Sequence, residues 1–136
     1  MTLEEKEQDI IDEFAIFDDW MDKYEYIIEL GKSLPIIDEK YKTDNRLIEG
    51  CQSRVWLNTE FDGEKMHFTA DSDAIITKGI IALLVRVFDN ESPKAIAACK
   101  LGFIDEIGLH EHLSPTRSNG LASMIRTMKM EALRAV

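Results

Sequence analysis

The sequence predicts an α+β domain in which helices pack on one face of a small three-stranded antiparallel sheet. Residues 54–70 alternate apolar and polar side chains on either side of Asp62-Gly63, the period-two pattern of a β-hairpin. The stretches before and after it repeat their apolar residues every three to four positions, which is the helical period. With 136 residues, 45% of them hydrophobic, and only three prolines and seven glycines, the chain has the content for one core and reads as a single domain over 1–136, without repeats or linker-like stretches.

Thr2 and Glu5 have capping-box spacing and open a first helix, with Ile10, Phe14, Phe17 and Met21 expected on its inner face. A second helix starts at Asp18-Asp19 and turns Trp20, Tyr24, Ile27 and Ile28 inward until Gly31 ends it and Pro35 forbids its return. Arg46–Glu49 supplies the third strand. A two-residue turn at Asp62-Gly63 would set Leu57 opposite Phe68, Thr59 opposite Met66 and Glu60 opposite Lys65 as an ion pair. Asp71-Ser72-Asp73 is a cluster of capping residues ahead of a core helix with Ile76, Ile80, Leu83 and Val87 in a buried stripe, where Gly79 admits a close neighbour. Ser92-Pro93 begins a helix that carries Ile96 and Cys99 inward and ends at Gly102, and Phe103–Leu109 forms a short helical turn. Ser114-Pro115 caps and starts the last helix, with Leu121, Ile125, Met128 and Ala132 inward and Lys129 and Arg134 near its negative end.

Charge excludes one class of function. Against 26 Asp and Glu the chain has 16 Lys and Arg, so it lacks the basic excess that phosphate backbones require. The acidity is local: residues 1–29 hold eleven carboxylates against Lys6 and Lys23, so nearly all of the net charge of -10 lies there. This segment reads either as a solvated helix face or as an acidic docking surface. The acidic first turn does not resemble a signal peptide, which gives a cytoplasmic location as the expectation. The apolar run Ile80–Val85 is far shorter than the ~20 residues of a membrane helix.

Cys51 and Cys99 are expected as free thiols. Cys51 lies in the polar, glycine-containing segment Glu49–Arg54, a loop at a strand end. The hairpin register brings it near Ala74, where the N-terminus of the core helix and Arg54 would lower its pKa while Asp71 and Asp73 oppose them; a moderately activated nucleophile is expected. Cys99 falls among apolar residues and reads as core. His110 and His112 with the two thiols have poor spacing for zinc, and no metal is expected. A cysteine hydrolase is disfavoured too, because no oxyanion-hole element accompanies Cys51. At Ser114–Gly120, free N–H groups, hydroxyls and Arg117 come together, as an anion or carboxylate site or simply as a helix cap.

Three ordered blocks carry a resemblance: Gly50-Cys51-Gln52-Ser53-Arg54-Val55-Trp56-Leu57; Asp71-Ser72-Asp73-Ala74 leading to Lys78-Gly79-Ile80; and His112-Leu113-Ser114-Pro115-Thr116-Arg117-Ser118-Asn119-Gly120-Leu121. Together with Leu30-Gly31 and Leu34-Pro35 they resemble the SufE family of sulfur acceptors, which includes CsdE. The resemblance implies a fold similar to the IscU scaffold, although the single loop cysteine here departs from the three of a cluster scaffold. It implies a carrier without a cofactor of its own: a SufS-type cysteine desulfurase, which holds the pyridoxal phosphate, transfers sulfane sulfur to Cys51 as a persulfide, and the carrier passes it to a SufBCD-like iron-sulfur scaffold. Gln52, Ser53, Arg54, Asp73 and Arg117 are the residues expected to surround the thiol and meet the partner. A monomer or weak homodimer is expected, with no nucleic acid and no membrane among its partners. A non-catalytic acidic interaction module that activates a partner without carrying sulfur is the competing reading.

Overall fold

The computed structural model describes residues 2–35 and 37–135. Two helices come first, α1 (Leu3–Phe14) and α2 (Trp20–Lys32). Thr2 and Glu5 form the expected capping box, and the Asp19 side chain accepts from the Asp22 N–H at the start of α2. α1 stops at Phe14, so Phe17 lies in the connection and Met21 on the outer side of α2, where it is exposed. Of the predicted inner face of α2, Ile27 is fully buried, whereas Trp20, Tyr24 and Ile28 are only partly covered.

The helix α2 does not end at Gly31. It runs on to Lys32, and Gly31 is buried inside it because α2 crosses α3 (Ile75–Phe88) there. A side chain on Gly31 would meet the Gly79 backbone nitrogen at 2.8 Å, and one on Gly79 would collide with the Ile27 carbonyl oxygen. The two missing side chains let the backbones touch, which fixes both the spacing and the register of the pair. α3 is the central post of the molecule. Ile76, Ile80, Leu83 and Val87 are buried as expected, and so are Ile81, Leu84 and Phe88 on its other sides; a helix apolar all round belongs in a core.

The sheet has two strands, not three: β1 (Val55–Phe61) antiparallel to β2 (Met66–Ser72). Its turn spans Asp62–Lys65 because the Asp62 carboxylate accepts from the N–H groups of Glu64 and Lys65 at 2.9 and 2.7 Å, a local competition that stabilises the longer loop. Leu57 therefore faces Ala70 and Thr59 faces Phe68, and Glu60 stands opposite His67 instead of Lys65. Apolar residues still meet on one face, since a shift in register by an even number preserves sidedness. The expected third strand is reduced to one bridge, Leu47 to Trp56, and one bond from the Ile48 N–H to the Val55 carbonyl at 2.8 Å. Asp44–Arg46 is wound into a single 3₁₀ turn, and that leaves too little extended chain to pair.

Helices do not cover one face alone. The segment 39–47 lies over the other side of β1: Arg46 reaches the buried Asn58 side chain at 3.2 Å, and Lys42 sits over the Trp56 ring. After α3 come α4 (Pro93–Ala98), α5 (Gly102–Glu106), α6 (Leu109–His112) and α7 (Pro115–Ala135). Ser92 caps α4 as expected, but α4 closes at Cys99, and Gly102 begins α5 instead of ending its predecessor. In α7, Leu121, Met128 and Ala132 are buried and Ile125 partly so. Lys129 does not serve the end of its own helix; its ammonium donates to the Cys99 carbonyl.

Candidate functional site

Cys51 stands on a short loop held at both ends. On the entry side the Ile48 N–H binds the Val55 carbonyl, and Gly50 turns the chain away from the strand with φ +88°, a conformation that costs glycine little and other residues more. A side chain at Gly50 would run into the Ser123 hydroxyl of α7. On the exit side Arg54 and Asp73 clasp each other: the Arg54 N–H donates to the Asp73 carboxylate at 3.0 Å, and the Asp73 N–H to the Arg54 carbonyl at 3.2 Å. Ser72 adds a bond from its hydroxyl to the same carbonyl at 2.8 Å.

This clasp revises the reading of the acidic cluster. Asp73 is spent on the loop, and α3 starts after Ala74 with no side-chain cap. Asp71 points elsewhere, between Lys42 at 2.7 Å and Lys78 at 3.2 Å. Burial pushes its carboxyl pKa up, but the hydrogen bonds from Lys42, the Ser72 N–H and Lys78 outweigh that and leave it below its ordinary value. Neither carboxylate contacts the thiol.

The Cys51 thiol is half-buried and donates to the Gly120 carbonyl of α7 at 3.6 Å. It forms part of the wall of a cavity of about 390 Å³. Gln52 and Ser53 line it from the loop, Ala74, Ile76 and Thr77 from the start of α3, and Ser114, Thr116, Arg117 and Gly120 from the start of α7. Cys51 and Ala74 line the same cavity, although the register that predicted them as neighbours is not the observed one. The predicted activation is not: burial pushes the Cys51 thiol up, and no cation offsets it. The sulfur is a sheltered hydrogen-bond donor.

Arg117 lies at the rim with its guanidinium 5.9 Å from the Tyr24 ring, while Ser114 accepts from the Arg117 N–H at 3.3 Å. The cap and the guanidinium are thus separate features of one helix start. Sequence reasoning passed over two participants. Thr77 is buried and lines the cavity, and Gly120 meets the sulfur; the first was hidden in an apolar helical stripe and the second in a helix-start motif. Trp20 and His112 stack at 4.6 Å between the N-terminal layer and α6. Among the described residues no three His, Cys, Asp or Glu side chains cluster as a metal site would require, and no helix is long and apolar enough to cross a membrane.

Cys99 is buried as expected, with its thiol 3.3 Å from the Glu7 carboxylate, and burial first and Glu7 second push its pKa up to about 11.

The Fe-S metabolism associated domain of the SufE family matches residues 8–132. The chain belongs to the SufE family. It is 43% identical over 128 residues to an uncharacterized SufE-like protein of Rhizobium meliloti, covering 90% of this chain and 91% of that one. Against the chloroplastic/mitochondrial SufE-like protein 1 of Arabidopsis thaliana the identity is 37% over 129 residues, covering 94% of this chain but 35% of the plant protein. A solution structure of a hypothetical protein from Thermus thermophilus shares the fold at TM-score 0.78 and 20% identity, covering 96% of this chain and 95% of that one. Membership places the SufE chain described here in iron-sulfur metabolism.

Proposed function

We propose that this SufE-family protein carries sulfur as a persulfide on Cys51. A SufS-type, pyridoxal-phosphate-dependent cysteine desulfurase is the donor and a SufBCD-like iron-sulfur scaffold the acceptor, in the cytoplasm, with the carrier acting as a monomer or weak homodimer. The observation that supports this reading is a thiol on a short, doubly anchored loop at the lip of a cavity, in a chain whose family belongs to iron-sulfur metabolism. The chemistry is thiol–disulfide exchange in form. The Cys51 thiolate attacks the terminal sulfur of the donor's persulfide, the bond between the donor's two sulfurs breaks, and the donor cysteine leaves as a thiolate. Because burial raises the Cys51 pKa, the partner's own site has to supply the environment that ionises the thiol once the loop has entered it. Gln52 and Ser53 would travel with the sulfur, Arg54 and Asp73 would hold the loop's base, and Arg117 would meet the partner at the rim.

Incubation with a charged desulfurase and cysteine, followed by mass spectrometry, tests this directly. One sulfur should appear on Cys51 and be removable by a reducing thiol, and Cys51→Ser should gain none while still binding. Full stimulation of cysteine turnover by Cys51→Ser would instead establish the acidic interaction module.

A further inference from the structure

The cavity beside Cys51 is lined by hydrogen-bond donors, and the thiol itself donates to the Gly120 carbonyl. A chain with 26 carboxylates contributes none to this wall, where the one charged side chain is Arg117. Two long helices begin at it. α3, of 14 residues, opens here without a side-chain cap, so its first-turn N–H groups and the positive end of its dipole are free for a ligand. α7, of 21 residues, adds the hydroxyls of Ser114 and Thr116 beside Arg117. The independent sign is Thr77. It is only 9% exposed and lines the cavity, and its hydroxyl makes no hydrogen bond among the described residues. No described side-chain polar atom is sealed from both partner and solvent, so that hydroxyl reaches solvent, and the cavity is the opening that Thr77 lines. Donors on two helix starts and a guanidinium along one cavity wall suit an acceptor with oxygens in several directions better than a flat carboxylate.

We propose that this cavity binds a small tetrahedral dianion, of which sulfate and phosphate are the simplest, and that the bound ion restrains the thiol. Its charge beside Cys51 disfavours the thiolate, and its bulk occupies the space through which an electrophile reaches the sulfur. The site rests on the cavity alone, not on sulfur acceptance.

The test uses the full chain without any partner protein. Alkylation of Cys51 by iodoacetamide is followed by mass spectrometry while sulfate, phosphate or acetate is titrated against chloride at constant ionic strength. Sulfate and phosphate should slow the reaction saturably, and acetate should do so weakly. Thr77→Val and Arg117→Gln should each move the midpoint about tenfold higher, the effect of losing one hydrogen bond to a charged group, with thermal unfolding confirming that both variants fold. A linear response shared by all salts, or wild-type midpoints in both variants, would overturn the site; protection by acetate equal to that by sulfate would overturn the dianion as its ligand. None of these outcomes touches persulfide formation on Cys51, which is read separately with the desulfurase.

Discussion

Cys51 and Cys99 are both free, both covered, and both pushed to higher pKa by burial. They differ in what holds them. Cys99 closes α4 and is fastened across the chain, its thiol by Glu7 of α1 and its carbonyl by Lys129 of α7. Among the described residues, the hydrogen bond of Cys51 is to one carbonyl of α7. Exposing Cys99 means parting α1, α4 and α7, whereas exposing Cys51 means moving a few residues whose anchors can stay in place. Burial alone therefore does not separate a releasable loop thiol from a packing one; the number of elements that must separate to release it does.

The largest expected consequence is kinetic. With the native protein, iodoacetamide should modify Cys51 at least about a thousandfold faster than Cys99, the gap between local opening and near-global unfolding; peptide mapping over time measures both, and equal rates in strong denaturant serve as the control. Comparable native rates would erase the distinction drawn between the two thiols. Next in size is Gly50→Ala, which adds a Cβ at positive φ and against the Ser123 hydroxyl. It should cost about 1–3 kcal/mol and raise Cys51 alkylation while leaving Cys99 unreactive, as urea unfolding and the same mapping will show.

The pH dependence sharpens the other side. The folded-state pKa of Cys99, about 11, lies above the ordinary unfolded value of roughly 8.5. The folded state holds this proton more tightly, so the contribution is fully present below about pH 8.5 and is lost as pH rises through about 11, on the order of 3 kcal/mol in total. Denaturation at stepped alkaline pH should show that decline in the wild type and a flatter limb in Cys99→Ala. The smallest effect belongs to Gly120→Ala: its Cβ would stand 3.6 Å from the Cys51 sulfur, ordinary contact, and stability should change by no more than about 0.5 kcal/mol. A larger loss in calorimetry would mean the α7 wall fits the thiol more tightly than this spacing implies.

Helix starts were the most legible part of the sequence. Thr2, Asp19, Ser92 and Ser114 all cap as their residue types suggest, because a cap is decided within four residues. Gly31 was misread because local rules know glycine as a terminator, while its use here is decided by Gly79, far along the chain. The hairpin's existence and sidedness were legible, but its turn was not, since the Asp62 carboxylate selects the longer loop. For the site, the setting of Cys51 on a loop at a strand end could be read from strand order, whereas the register used to place it beside Ala74 was off by two residues. The raised pKa could not be read, because it depends on α7 folding back over the loop.

The two clamps on the Cys51 loop also set a length. Between the Ile48 bond to Val55 and the Arg54 clasp with Asp73 lie residues 49–53. At about 3.5 Å per residue, a tether leaving and returning to neighbouring anchors carries its tip no farther than roughly 10 Å from them. Behind it stands α3, keyed to α2 through Gly31 and Gly79, which offers no hinge to extend the stroke. On the proposed reading, sulfur on Cys51 is handed over only at arm's length, and a donor or recipient has to present its reacting atom within that radius of the body of the protein.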